Sequence, residues 1–185
     1  MIKTVFITVL FDMDGTLMRY IEGGDIFRSK YFEELPPNKN ICDAASAIDG
    51  KEIARAEVNG HSVSIVLKTA SLSSYLANSP HDVLTEKNIS LDKHTSIGSN
   101  RRFFIPCGSS KWQKAVSLGI DRSSILIDDY GVNLADWQGP SIKVSRDLAD
   151  MNKEMQKYKY CISPDQPKLS IVDTIISCAM NSFVN

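Results

Sequence analysis

The chain has no apolar run near the roughly 20 residues a membrane-spanning helix needs, so no bilayer crossing is expected. Its four cysteines, Cys42, Cys107, Cys161 and Cys178, are scattered and form no CxxC pair. That argues against a disulfide frame or a cysteine zinc site and for reduced thiols in a cytoplasmic protein. The three histidines, His61, His81 and His94, have no metal-ligand spacing. Neither sign of charge dominates: 21 Lys and Arg against 22 Asp and Glu leave a formal net charge of -1. Bulk attraction to a nucleic-acid polymer or a membrane surface is therefore not expected. Internal repeats and low-complexity tracts are absent. Met1-Ile2-Lys3-Thr4 runs straight into an apolar stretch, so no secretion leader is expected.

What remains is a chain of ordinary composition, 185 residues long, enough for one α/β domain and a small insertion. One stretch organises the rest: Val5-Phe6-Ile7-Thr8-Val9-Leu10-Phe11-Asp12-Met13-Asp14-Gly15-Thr16-Leu17. The apolar, β-branched run reads as a strand buried on both faces, as in a parallel sheet. It ends in two carboxylates, which are costly to hold together unless a cation or a proton neutralises them. Gly15 permits a sharp exit, leaving both acids at the carboxyl end of the strand, where open α/β sheets bind ligands.

Downstream, Arg19 to Asn40 carries Tyr20, Ile26, Phe27, Tyr31, Phe32 and Leu35 at roughly helical intervals, closed by Pro36-Pro37. Two readings stand: a helix packing on the sheet, or the start of a lid from Asp25 to Leu35 whose aromatics face a substrate. A second helix is expected over Ile41 to Val58, softened at Asp49-Gly50 and stopped by Asn59-Gly60. Ser62 to Leu67 reads as a second strand ending in Lys68-Thr69-Ala70-Ser71, where the hydroxyl of Thr69, or of Ser71, could donate to a bound anion. A short helix is expected around Val83 to Asn88, and Arg102 to Pro106 reads as a third strand. Cys107-Gly108-Ser109-Ser110-Lys111 then opens a helix over Trp112 to Leu118, a plausible anion-binding turn with a full positive charge. Ser124 to Asp129 is a fourth strand ending in a second carboxylate pair, and Ser141 to Val144 a fifth. Helices over Asp147 to Tyr158 and Leu169 to Phe183 complete the chain. Alternation of strands and helices argues for a doubly wound parallel sheet, an α/β fold.

Phe11-Asp12-Met13-Asp14-Gly15-Thr16-Leu17 resembles the first motif of the haloacid dehalogenase superfamily of phosphoryl-transfer hydrolases. Thr69, Lys111 and Asp128-Asp129 follow in the order of that superfamily's other three motifs. The resemblance implies a Rossmann-type core over residues 1–18 and 61–185 and a small helical cap over 19–60. It implies Asp12 as nucleophile, Asp14 as general acid and base, and Thr69 and Lys111 as further catalytic groups. Gly15, Thr69, Ala70 and Lys111 would hold the phosphate. The implied cofactor is magnesium, Mg²⁺, on the side chains of Asp12 and Asp128 and the backbone carbonyl of Asp14, with Asp129 behind them holding Lys111 or a metal-bound water.

Glu86-Lys87-Asn88, Leu91-Asp92-Lys93, Arg102-Phe103 and Leu126-Ile127-Asp128-Asp129-Tyr130, with Asn133-Leu134 and Trp137, resemble one branch, the 5'-nucleotidases related to 5'(3')-deoxyribonucleotidases. Thr16 and Tyr130 depart from the mammalian members of that branch. The implied partner is a small phosphorylated substrate, a nucleoside monophosphate, with Phe27, Tyr31 or Phe32 against its base. A phosphatase for another small metabolite, and a phosphate-binding protein without catalysis, are the rival readings.

Overall fold

The computed structural model describes residues 2–58 and 60–184. The fold is mixed α/β, built on a mostly parallel seven-stranded sheet. β1 (Lys3–Phe11) lies between β3 (His61–Tyr75) and β5 (Ile125–Asp128), parallel to both. Beyond β5 come β6 (Ser141–Val144) and β7 (Cys161–Ile162). On the far edge of β3, β2 (Glu52–Val58) pairs antiparallel with its first half, and β4 (Arg102–Pro106) parallel with its second. From β1 the chain first adds strands on one side, then crosses to the other.

Burial on both faces explains the apolar end of β1, Val9 to Phe11, while Phe6 nearer its start is exposed. Ile7, Val9 and Phe11 enter one apolar cluster with α1 (Lys39–Ile48) and α6 (Lys168–Val184). Leu10 enters a second cluster on the opposite face, with Ala115 of α3 (Lys111–Ser117) and Leu134 of α4 (Gly131–Asp136). Successive side chains point to opposite faces, so one strand feeds both cores. The remaining helices are α2 (Val83–His94) and α5 (Leu148–Glu154). Among the described residues no helix is long and apolar enough to cross a membrane.

Three sequence expectations are corrected here. First, β3 does not stop near Leu67; it runs fifteen residues to Tyr75. Thr69, Ser71 and Ser73 are buried mid-strand because β1 and β4 flank them, although small hydroxyl residues usually signal a strand end. Second, residues 19–60 are not a helical cap. Residues 20–35 form turns around Gly23-Gly24 and Lys30, whose φ of 65° ends any helix. Third, the helix expected over Ile41 to Val58 ends at Ile48, where Asp49 and Gly50 turn the chain into β2. Both α1 and β2 belong to the main body: α1 packs on α6, and β2 extends the sheet. Of the turn expected at Asn59-Gly60, Asn59 lies outside the described residues, and Gly60 has a φ of 74°.

Candidate active site

Asp12 is the first residue past β1, and its N–H donates to the Ile127 carbonyl at 2.9 Å, so β5 fixes its backbone. The chain then doubles back: Gly15 N–H donates to the Met18 carbonyl at 2.7 Å and Met18 N–H to the Met13 carbonyl at 2.8 Å. Gly15 is required twice over, by its φ of 78° and because a Cβ would collide with the Asp129 carboxylate. At the end of β5, Asp128 Oδ1 accepts from Tyr130 N–H at 2.8 Å and Oδ2 from Asn133 Nδ2 at 2.9 Å. The Asp129 carbonyl accepts from Lys143 Nζ.

Lys111 opens α3, whose N-cap Ser110 accepts from Gln113 N–H at 3.1 Å. Its buried Nζ bridges the two strand ends, donating to Asp12 Oδ1 at 2.6 Å and Asp128 Oδ2 at 2.7 Å. Two of its three N–H groups are thereby used, leaving one for a ligand. Asp14 turns the other way, and its Oδ2 accepts from the buried Nζ of Lys87. Asp14 Oδ1 is buried with no hydrogen-bond partner.

Asp12, Asp128 and Asp129 present carboxylate oxygens within 4.8 Å of one another. Burial and the neighbouring Asp12 charge push Asp128 up to about 6. Burial, Asp12 and Asp128 push Asp129 up to about 7, against the pull of Lys143. Asp14 is also raised, by burial and the Asp12 charge, against the opposing pull of Lys87. Burial pulls Lys111 down, but the charges of Asp12 and Asp128 outweigh it and hold the ammonium charged. Fully ionised, the four carboxylates of Asp12, Asp14, Asp128 and Asp129 exceed the three ammonium groups of Lys87, Lys111 and Lys143 by one negative charge. An all-oxygen set with that deficit suits a hard divalent cation that keeps waters, as Mg²⁺ does.

A cleft of about 630 Å³ opens over these groups, lined by Asp12, Asp14, Asp129, Phe32, Ser74 and Tyr130 among others. Of the sequence-predicted site residues, Asp12, Asp14, Gly15, Lys111, Asp128 and Asp129 meet here. The Asp14 side chain, expected as acid and base and not as a metal ligand, pairs with Lys87 outside the three-carboxylate group; one role differs, in that Asp129 joins that group without touching Lys111. Thr69 and Ala70 are elsewhere. Thr69 stands level with Val9, two residues short of the end of β1, and bonds Asp49 and Arg101. Ala70 packs with Leu10 in the second core, and Ser71 is level with Phe11. The hydroxyl residues at the cleft end of β3 are Ser73 and Ser74. Of the three aromatics only Phe32 lines the cleft; Tyr31 is 2 % exposed in the core, and Phe27 is 53 % exposed away from it.

Lys87 and Ser74 are site residues that sequence reading missed. For Lys87 a signal existed: the buried positions of α2 are Val83, Glu86, Lys87, Ser90 and Leu91, a helical stripe holding two charges where apolar residues belong. No family model matches the chain, and no curated protein matches it.

Proposed function

We propose that this protein is a Mg²⁺-dependent phosphomonoester hydrolase of the haloacid dehalogenase type, on a doubly wound parallel sheet, acting through an aspartyl-phosphate. One observation carries this: Lys111 Nζ bridges Asp12 and Asp128 at the ends of adjacent parallel strands, while Asp14 stands on a separate cation. Those strands flank the point where the strand order reverses, the usual ligand position in open α/β sheets.

In this mechanism an Asp12 oxygen attacks phosphorus as the bond to the leaving oxygen breaks, and Asp14 gives that oxygen a proton. Water then attacks the phosphorus of the aspartyl-phosphate, Asp14 takes the water's proton, and Asp12 is released with inorganic phosphate. The remaining N–H of Lys111 and the hydroxyl of Ser74 would bind phosphoryl oxygens, Ser74 taking the part expected of Thr69. Asp12, Asp128 and Asp129 would hold the cation, which when bound offsets charge on the transferring phosphoryl group. The substrate class proposed is a nucleoside monophosphate, its base against Phe32.

Hydrolysis of a simple aryl phosphate tests the reaction class. Activity should require Mg²⁺, vanish in chelator, and be lost in Asp12→Asn with the fold intact. Undiminished hydrolysis by Asp12→Asn would refute the mechanism.

A further inference from the structure

Lys87 is wholly buried, and every hydrogen of its ammonium is spoken for. Nζ donates to Asp14 Oδ2, to Ser73 Oγ at 3.1 Å and to the Ser74 carbonyl at 2.7 Å. An ammonium has three donors, so none is left for a substrate. This separates Lys87 from Lys111, which has two protein acceptors and one open N–H. A buried lysine without a partner is costly, and here the partner is the carboxylate that the proposed mechanism uses as acid and base.

We propose that Lys87 is the positioning residue for Asp14: it occupies Oδ2 and fixes the plane of the carboxylate that exchanges the proton. Oδ1 is buried and without a protein partner, and Asp14 lines the cleft. The same ammonium lies 4.7 Å from the centre of the Phe32 ring. Next to it on α2, Glu86 accepts from Lys30 N–H at 2.8 Å and Phe32 N–H at 3.2 Å. The Glu86-Lys87 pair therefore anchors both the proton-transfer group and Phe32, which with Tyr20 lines the cleft from the 20–35 segment. The inference rests on the phosphatase reading of this cleft.

The test is pre-steady-state hydrolysis of an aryl phosphate with a good leaving group, by wild type, Lys87→Met, Asp14→Asn and the double variant. A good leaving group needs little protonation, whereas breakdown of the phosphoenzyme still needs the base. Lys87→Met should therefore keep the burst of phenol release and lose turnover roughly ten- to hundredfold, part of what general acid–base catalysis contributes. Adding Lys87→Met to Asp14→Asn should cost little more, because the two side chains act as one unit. Should Lys87→Met fail to fold, Ser73→Ala, which removes one anchor of the ammonium, should give the same pattern to a smaller degree. Burst and turnover falling together with melting temperature would mark Lys87 as only structural and overturn the proposal. So would unchanged turnover in Lys87→Met or Ser73→Ala, or independent losses in the double variant. A wild type with neither burst nor phosphate release would overturn the phosphatase reading itself, a result distinct from these.

Discussion

Phe27, Tyr31 and Phe32 look interchangeable in sequence, yet the structure gives them three different surroundings. Phe32→Ala should weaken a nucleotide substrate roughly ten- to hundredfold, the loss of about 1–3 kcal/mol of base stacking. A small phosphate should be almost unaffected. Tyr31, edge-on to Phe32 and packed in the core, should cost about 3–5 kcal/mol of stability as Ala and depress every substrate alike. Phe27→Ala should move neither KM nor melting temperature noticeably. The carboxylates allow a second prediction at this scale. Asp128 at about 6 and Asp129 at about 7 lie above their unfolded values, so the unfolded chain binds fewer protons across that interval. Without cation they therefore favour folding at acid pH, and that contribution is lost as pH rises through about 7. A divalent cation competes with those protons. The rise in melting temperature with Mg²⁺ should be larger at pH 8 than at pH 5.5; an equal rise would argue against these ligands.

At the scale of elements, the junction of α1, β2 and β3 turns on Asp49. Its carboxylate accepts from Thr69 N–H at 2.9 Å and from Arg101 at 2.7 Å, and Arg101 also donates to the Thr69 carbonyl at 2.9 Å. Partial burial would raise Asp49, but these donors outweigh it and hold the carboxyl below the ordinary range. A depressed acid contributes stability above its unfolded value and loses it as pH falls through its folded one. Asp49→Asn should lower stability by about 1–3 kcal/mol near neutrality and flatten the acid side of a melting-temperature profile below about pH 4. An unchanged acid limb would exclude Asp49 from that role. The same junction shows why β3 was only half legible. Thr69 looked like a strand tip because Ser and Thr commonly end strands, but its backbone is satisfied by residues 20 and 32 positions away. Local pattern carries no trace of such partners. β5 and the end of β1 were legible because their apolar runs are bounded and buried, and β4 and β6 because short β-rich runs sit between turn residues.

At the scale of the whole molecule, the site is where two acid-tipped strands become neighbours and a lysine from the helix between β4 and β5 reaches both. The acids and Lys111 could be read from sequence because each ends an apolar strand or begins a helix. Lys87 left only the trace of a charge in an apolar helical stripe, and Ser74 left none, since their place depends on how far β3 runs and how α2 lies against it. The central claim is that Asp12 attacks phosphorus, and one measurement meets it most directly. Wild-type protein turning over an aryl phosphate with Mg²⁺ is quenched in acid, reduced with borohydride, and mapped by peptide mass. The account predicts that the Asp12 side chain, as its acyl phosphate, is converted to homoserine during turnover and not in the absence of substrate. Reduction at another residue, or steady turnover with Asp12 never modified, would contradict it.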